Sequence, residues 1–337
     1  MKLGVIGAGK IVNDFLKVYF DIKGLDFVAI ADLPAAEEKL KQIVNETACK
    51  EYYLDAEEMI EKADIDTVYI AVPNSLHYKM CKLALENNKN VICEKPFTSN
   101  YSEALKLSAI ARDKGLVLVE AVTTHYLPNM LKIKEILPEL GDIKIIYTNY
   151  SQYSSRYDSF RKGVILPAFD PEMSGGALMD LNIYNVNFLV GLFGEPQSIE
   201  YKANIERNID TSGILIMDYG TFKTVSIGAK DCSAPITCCI QGNKGCITTS
   251  SPVNVLRGFK YYSTESKQKV LADSSNEDDY NGDKHRMYYE FTEFERMISN
   301  KDLFSANKSL EISLIVSKIQ TLARKDAGII FPADIVR

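Results

Sequence analysis

The chain has 337 residues, 46% of them hydrophobic and 25% charged, and its 39 basic and 45 acidic side chains give a formal net charge of −6. This length and composition are typical of about two globular domains that fold without disulfides or metals. The acidic balance, without a basic patch, argues against a nucleic-acid surface, and no apolar stretch is long enough to cross a bilayer.

The first residues of the chain and its cysteines indicate the cellular compartment. Met1 and Lys2 lead straight into the apolar run 3–6, so we expect no secretory signal. The seven cysteines are scattered and include no CxxC pair, which predicts free thiols, no zinc site and no other bound metal. We therefore expect a cytoplasmic protein in a reducing environment.

Strand and helix patterns alternate through the first third of the chain. Strands are predicted over 2–6, 27–31, 66–72, 90–93 and 116–119, and helices over 10–22, 34–44, 75–86 and 100–114. Strands that alternate with helices at this spacing predict an α/β domain with a doubly wound parallel sheet over residues 1–122.

The pattern changes after about residue 122. Helices are predicted over 126–137, 177–193 and 285–298, and strands over 143–153, 198–205, 213–219, 222–229, 235–241 and 245–249. Strands this close in sequence predict an α+β domain over 123–337 with a mostly antiparallel sheet. The acidic stretch 273–283 is predicted to be an exposed loop.

A glycine-rich turn follows the first strand and opens the first helix. Gly7 permits a tight turn, and Gly9 lets the backbone approach a diphosphate that the first N–H groups of the helix would bind. Val12 replaces the third glycine of the pattern, which leaves the anion site in place. An ordinary glycine turn is the alternative. The residues expected to contact a dinucleotide are Gly7, Ala8, Gly9, Lys10 and Ile11.

Asp32 ends the second strand, in the position where an acidic residue bonds the ribose hydroxyls of NAD. Its carboxylate would repel the extra phosphate of NADP, and Leu33, not an arginine, follows it. We therefore predict that NAD is preferred over NADP. The alternative is that Asp32 caps the helix beginning at Pro34.

Glu94 and Lys95 stand at the carboxyl end of the strand 90–93, where open α/β sheets bind their ligands, and both are predicted to contact the cofactor. Pro96 restricts the backbone of Lys95 to an extended form and ends the strand. A lysine here can stabilise an alkoxide or favour the charged form of a neighbouring acid. A solvated lysine at a strand end is the alternative.

With these residues in view, the chain resembles the glucose–fructose oxidoreductase / inositol dehydrogenase / MocA (Gfo/Idh/MocA) family. The matching segments are GAGKI at 7–11, AVPNSLH at 71–77, ALENNKNVICEKP at 84–96, EA at 120–121, SGGALMDLNIYNVNFLVGLFGEP at 174–196 and GIIFPAD at 328–334. The resemblance covers essentially the whole chain. It implies a Rossmann domain, followed by a mostly antiparallel sheet whose open face forms a homodimer or homotetramer.

The resemblance also implies an acid/base pair on the predicted helix 177–193. Asp180 and Tyr184 are four residues apart and share one helix face. A tyrosine hydroxyl serves as a base near neutral pH only beside a cation, which Lys95 would supply. Asp180 would bond that lysine or the substrate. The alternative is a core tyrosine and a surface carboxylate.

Weaker candidates accompany this pair. The resemblance places Pro73, Asn74 and His77 beside the cofactor, although Asn74 is equally good as a helix N-cap. It places His125 at the border of the substrate pocket, as a second acid/base.

A polar row on the long helix indicates a substrate unlike that of other members: Asn182, Asn185 and Asn187. A cationic cluster for hydroxyl or carboxylate groups, or else a solvated loop, is formed by Arg156, Tyr157 and Arg161.

The predicted reaction is hydride transfer between a nicotinamide cofactor and a hydroxyl or carbonyl of a sugar, polyol, inositol or diol. Lys95 would stabilise the negative charge on the substrate oxygen, and Asp180 would orient the reacting groups. Tyr184 would accept or return the hydroxyl proton. Two alternatives remain: a non-catalytic NAD(P)-binding regulator, and a redox-neutral enzyme of the same fold that holds NAD tightly.

Overall fold

A computed structural model describes residues 1–264, 269–270 and 284–335. The chain divides into two compact units. The first unit comprises Met1–Ala121 and Met287–Leu314, and the second comprises Val122–Arg286 and Ile315–Arg337. The predicted acidic loop 273–283 lies outside the described residues.

The first unit is built on a six-stranded parallel sheet. Its strands are β1 (Lys2–Ile6), β2 (Asp26–Ala31), β3 (Glu51–Tyr53), β4 (Thr67–Ile70), β5 (Asn90–Glu94) and β6 (Leu118–Ala121). Their order is β3-β2-β1-β4-β5-β6, and every neighbouring pair is parallel. The order reverses between β1 and β4, which is the point where doubly wound sheets bind ligands at the carboxyl ends of the strands.

Helices follow most strands of this sheet. They are α1 (Lys10–Phe15), α2 (Glu37–Glu46), α3 (Ala56–Lys62), α4 (His77–Glu86) and α5 (Tyr101–Lys114). Because such helices cover both faces of a parallel sheet, its central strands are nearly continuous apolar runs, and all four residues of β4 are buried. The helix predicted over 10–22 is shorter than expected: it ends at Phe15, and Tyr19–Asp21 forms a separate 3₁₀ turn.

A late segment of the chain returns to the first unit. Within α9 (Arg286–Ser299), the ring of Phe291 lies 4.9 Å from that of Phe15 and 5.0 Å from that of Tyr69. Leu310 also joins the core of this unit. The single boundary predicted between residues 122 and 123 therefore differs from the observed division. Packing between Phe15 and Phe291, which are 276 residues apart, leaves no local sign in the sequence.

The second unit contains an eight-stranded sheet. Its strands are β7 (Ile143–Ser151), β8 (Ser198–Glu206), β9 (Ile209–Asp218), β10 (Lys223–Ala229), β11 (Thr237–Gly242), β12 (Gly245–Thr249), β13 (Lys260–Ser263) and β14 (Lys269–Val270). The order is β14-β13-β12-β11-β7-β10-β9-β8, and among the described strands of this second sheet only β7 and β10 pair in parallel. The predicted fold class is confirmed.

The remaining helices are α6 (Pro128–Ile136), α7 (Tyr157–Arg161), α8 (Ile183–Phe193) and α10 (Leu303–Asp326). A π-helical turn, Leu178–Asn182, leads directly into α8 and packs with it against β10. Along β7, Ile146 and Thr148 are fully buried, whereas Ile145 and Tyr147 on the opposite face are 51% and 41% exposed. Among the described residues, no helix has the length and apolar character needed to cross a membrane.

Candidate active site

The glycine-rich turn after β1 is built so that only glycine fits its first position. Gly7 has φ +101°, and a Cβ added there would collide with the carbonyl oxygen of Ala71. A Cβ added at Gly9, in contrast, would meet no atom within 4 Å. The turn therefore packs closely on β4 at one glycine and borders open space at the other.

Asp32 ties this turn to the end of β2. Its two carboxylate oxygens accept hydrogen bonds from the backbone N–H of Ala8 at 2.8 Å and of Leu33 at 2.7 Å. The alternative that Asp32 caps the following helix is wrong, because Leu33 occupies the N-cap position of the 3₁₀ turn at Pro34. Sequence reasoning missed Lys39, whose ammonium donates to the carbonyl oxygen of Ala8.

His77 lies inside the first unit between the loops that follow β4 and β5. Its Nδ1 is 2.8 Å from the carbonyl oxygen of Pro96, and its Nε2 is 2.9 Å from that of Val72. Burial lowers the pKa of this fully buried imidazole. The ring therefore joins two loops and does not present itself to a ligand. Asn74 begins the 3₁₀ turn Asn74–Leu76, and Pro73, not Asn74, occupies its N-cap position.

Lys95 is the one partly exposed residue in the otherwise buried run 91–100. The preceding Glu94 is buried and accepts a hydrogen bond from the Tyr69 hydroxyl at 2.6 Å, so its carboxylate is used inside the unit. Glu120, at the end of β6, accepts from the Phe97 N–H at 2.9 Å. Burial raises the pKa of Glu120 to about 7, and the nearby charge of Lys95 opposes that rise.

In the second unit, a glycine and a buried aspartate shape the start of the long helix. Gly176 has φ +106°, and a Cβ there would collide with Oδ1 of Asp210. The same carboxylate accepts hydrogen bonds from the Leu178 N–H at 2.6 Å and the Tyr201 hydroxyl at 2.7 Å. Burial raises the pKa of Asp210 to about 6. The first turn is π-helical, a form that is frequent at functional sites.

Asp180 lies in this π-helical turn and pairs with a lysine that sequence reasoning missed. The ammonium of Lys230, directly after β10, is 2.8 Å from Oδ2 of Asp180 and donates to the carbonyl oxygen of Ala168 at 2.7 Å. The Asp180 side chain is 34% exposed, whereas that of Lys230 is 2% exposed. Asp180 is therefore not an isolated surface charge.

Tyr184 stands in the first turn of α8 and is partly buried. Its ring lies 6.1 Å from that of Tyr150 on β7. The structure thus places Asp180 and Tyr184 on consecutive turns of one continuous helical segment.

The asparagine row has a structural explanation. Asn182 accepts hydrogen bonds from the Ser226 hydroxyl at 2.8 Å and the Asn185 amide at 3.0 Å. The Asn185 amide also donates to the carbonyl oxygen of Ile227 at 3.1 Å. These buried amides hold the helix against β10, and a Cβ at Gly228 would lie 2.6 Å from that of Asn182. The row was predicted to reflect the substrate; instead, the described amides bond protein groups.

His125 is bound by the third asparagine of the row. Its Nε2 is 2.9 Å from Oδ1 of Asn187, whose amide donates to the carbonyl oxygen of Ile183. Its buried Nδ1 has no hydrogen-bond partner in the described part of the chain. Burial lowers the pKa of His125 to about 4, so the ring is neutral near pH 7. Its role as a second acid/base remains a prediction.

The cationic cluster lies on and beside α7. Arg156 and Arg161 are exposed. The Tyr157 hydroxyl donates to Glu206 at 2.5 Å, which, with partial burial, raises the pKa of this tyrosine to about 12. Its ring stacks on Phe160 at 6.1 Å. Tyr157 therefore has a packing role in the second unit, and substrate binding by the two arginines remains a prediction.

The structure brings the predicted residues together within each unit. The first unit gathers the glycine turn, Asp32 and Lys95 at the carboxyl ends of its strands, and the second gathers Asp180 and Tyr184 on one helix. The described residues contain no group of three His, Cys, Asp or Glu side chains that could hold a metal ion.

Two domains of one known protein family match successive parts of the chain. Residues 1–122 match an oxidoreductase family with an NAD-binding Rossmann fold, and residues 130–248 match the GFO/IDH/MocA C-terminal domain. A scyllo-inositol 2-dehydrogenase (NADP(+)) of Bacillus subtilis (strain 168) is 34% identical over 340 residues, covering 99% of each chain. A D-xylose 1-dehydrogenase (NADP(+)) of Hypocrea jecorina is 27% identical, over 98% of this chain and 93% of the relative.

Solved structures share the fold at low identity. A 3-ketoreductase from Actinomadura kijaniata, in complex with NADP and TDP-benzene, superposes with a TM-score of 0.80 at 18% identity over 97% of each chain.

Proposed function

The chain belongs to the Gfo/Idh/MocA family of NAD(P)-dependent oxidoreductases, and we propose that it oxidises or reduces a CH–OH group of an inositol, sugar, polyol or diol. The observation that carries the proposal is Lys95 at the carboxyl end of β5, the one partly exposed residue in a buried run. The names of the inositol and xylose dehydrogenases support the substrate class.

The first unit fits a nicotinamide dinucleotide. Gly9 borders open space, since no atom of the described residues lies within 4 Å of a Cβ built there. The backbone of the turn, from Gly7 to Ile11, would hold the diphosphate, and the residues at the ends of β4 and β5 would line the nicotinamide side. When bound, the nicotinamide ring supplies the hydride acceptor or donor.

We propose that NAD is preferred over NADP because the carboxylate of Asp32 lies at the end of β2. The named dehydrogenases of B. subtilis and H. jecorina use NADP, and Lys39 adds a cation near this turn. The test is the ratio of dissociation constants for NADH and NADPH, measured by reduced-cofactor fluorescence. The chain has no tryptophan, so the protein background is low. Tighter binding of NADPH would overturn the preference.

The catalytic assignment uses three residues. The ammonium of Lys95 stabilises negative charge on the substrate oxygen. Tyr184 takes the hydroxyl proton during oxidation and returns it during reduction. The carboxylate of Asp180 accepts a hydrogen bond from a substrate hydroxyl and so orients the ring. His77 and Glu94 support the strand ends from inside the first unit.

The test is turnover on a panel of inositols, sugars, polyols and diols with NAD or NADP, followed by nicotinamide absorbance. Lys95→Ala should lower kcat/KM by roughly 10²- to 10³-fold, since it removes one preorganised electrostatic contact. Lys23→Ala removes an exposed lysine of the same unit and serves as the matched control.

The outcomes separate the alternatives. Turnover that depends on Lys95 supports a dehydrogenase. Turnover unchanged in Lys95→Ala contradicts the mechanism. Tight cofactor binding without turnover across the panel contradicts the proposed function and favours a regulator or a redox-neutral enzyme.

We also propose that the chain forms a homodimer or homotetramer through the outer face of the second sheet. This face exposes Ile145 and Tyr147 on β7 and Ile214 on β9. The strand β10 lies between these two strands, and its Val225 pairs with Tyr147. Ile145→Glu should convert the oligomer to monomer in light scattering. Phe304→Glu, a change at an apolar residue exposed elsewhere, should leave the mass unchanged. A monomeric wild-type protein would contradict the proposal.

A cytoplasmic location is proposed from the cysteines, because all seven are free thiols, which persist in reducing compartments. Fractionation of the producing cell tests it, and recovery of the protein outside the cytosolic fraction would contradict it.

A further inference from the structure

The second unit buries the ammonium of Lys230, whose side chain is only 2% exposed. Lys230 is fixed through its backbone, because its N–H donates to Thr211 at 2.8 Å and its carbonyl accepts from Ser154 at 2.9 Å. Its ammonium lies 4.4 Å from the centre of the Phe169 ring, in addition to its contacts with Asp180 and Ala168. A charge removed from water in this way requires an anion beside it.

Asp180 is the carboxylate that meets this requirement. Two other carboxylates come from strands or loops packed nearby, and both bond other donors. Asp210 accepts from the Leu178 N–H and the Tyr201 hydroxyl, and Asp231 accepts from the hydroxyls of Thr211 and Ser212. Asp180, in contrast, places Oδ2 2.8 Å from the Lys230 ammonium.

We propose that Lys230 is a positioning residue for the reaction: it keeps Asp180 ionised and fixed in one orientation, one helical turn before Tyr184. The inference rests on the proposed function, because it assigns a partner to one of the three proposed catalytic residues. Lys230 itself is buried, and it acts through Asp180.

The geometry explains why such a partner is needed. Asp180 lies in a π-helical turn and is about one-third exposed, so the helix alone does not fix its side chain. Lys230 directly follows β10, an inner strand that pairs with both β7 and β9, and its ammonium reaches Asp180 from outside the helix. An ionised carboxylate only accepts hydrogen bonds, whereas a protonated one also donates, so the charge state decides which substrate hydroxyl geometry fits.

The kinetic test compares two variants. Lys230→Met keeps the approximate length of the side chain and removes its charge, whereas Lys230→Arg keeps the charge. Lys230→Met should lower kcat/KM by roughly 10²-fold, the scale expected for a displaced catalytic group, and Lys230→Arg should restore part of it. In an Asp180→Asn background, Lys230→Met should cause less than a threefold further loss, because the two residues act as one unit. Additive losses would overturn the proposal.

A direct test follows the carboxyl carbon of Asp180 by ¹³C NMR of protein labelled at aspartate, with the resonance assigned from Asp180→Asn. In the wild type, Asp180 should titrate below the ordinary aspartate value of about 4. In Lys230→Met the midpoint should rise. An ordinary midpoint in the wild type overturns the proposal even if Lys230→Met does not fold.

The two tests separate the inference from the proposed function. No turnover by a folded wild type on the whole panel means that the proposed function fails, while the carboxyl titration still decides whether Lys230 holds Asp180 ionised. Turnover with an ordinary titration means that the proposed function stands and the inference fails.

Discussion

Glu120→Gln should change how stability depends on pH. The buried carboxyl of Glu120 accepts a hydrogen bond from Phe97, and its Oε2 has no hydrogen-bond partner within the described ranges. Burial raises its pKa from 4.5 to about 7. A raised carboxyl pKa means that folding favours the protonated form. Its stabilising contribution is therefore fully present below pH 4.5 and is lost as the pH rises through about 7.

The size of this pH dependence follows from the pKa shift of Glu120. Each pKa unit corresponds to about 1.4 kcal/mol, so the full loss is about 3 kcal/mol, of which about 2.5 kcal/mol falls between about pH 5 and about pH 8. Glutamine has the same shape and is neutral throughout. Relative to the wild type, Glu120→Gln should therefore gain about 2.5 kcal/mol between these two pH values.

The measurement is urea unfolding followed by circular dichroism at both pH values, together with amide hydrogen exchange along β6 as a local readout. Glu61→Gln, a change at an exposed carboxyl of the same unit, is the matched control and should show no such gain. A difference between Glu120→Gln and the wild type that stays constant with pH would refute the reasoning.

Two further predictions concern packing and thiols. Gly176→Ala should lower the free energy of unfolding by more than about 2 kcal/mol, because it combines a positive φ with a collision at Asp210. Gly194→Ala, also at positive φ but with no atom within 4 Å of the new Cβ, should cost less, and equal costs in thermal denaturation would contradict the collision. Of the seven thiols, the exposed Cys232 should react with a disulfide reagent in the native protein much faster than the five buried ones, and all seven should react after unfolding; uniformly fast native reaction would contradict the described burial.

Most strands of the first sheet could be predicted because buried parallel strands are apolar on both faces and leave a continuous signal. β3 is only three residues long and half-buried, so it left no such signal. α3 was missed although its sequence carries a usable one: Asp55 is its N-cap and accepts a hydrogen bond from the Glu58 N–H. An aspartate followed three residues later by a glutamate is typical of a helix start.

The site residues divide in the same way. Gly7, Asp32 and Lys95 could be located from the sequence because each stands at a strand end, which a local pattern reveals. Lys230 could not, since its partner Asp180 is 50 residues away. His125 and Asn187 are 62 residues apart, so the asparagine row was interpreted as a substrate surface when it bonds protein groups.

In both units, the residues proposed for function take part in polar contacts that join separate segments of the chain. Asp32 accepts a hydrogen bond from the Ala8 N–H of the glycine turn, and the His77 ring joins the loops after β4 and β5. The ammonium of Lys230 donates a hydrogen bond to Asp180. Each of these contacts joins segments distant in sequence, and a buried polar group without its partner is costly. Two chains that share the glycine turn, the EKP segment and the Asp180–Tyr184 pair can therefore differ in activity through such supports alone. Transplanting Lys230 into a relative that lacks it should raise kcat/KM only where that relative keeps the aspartate.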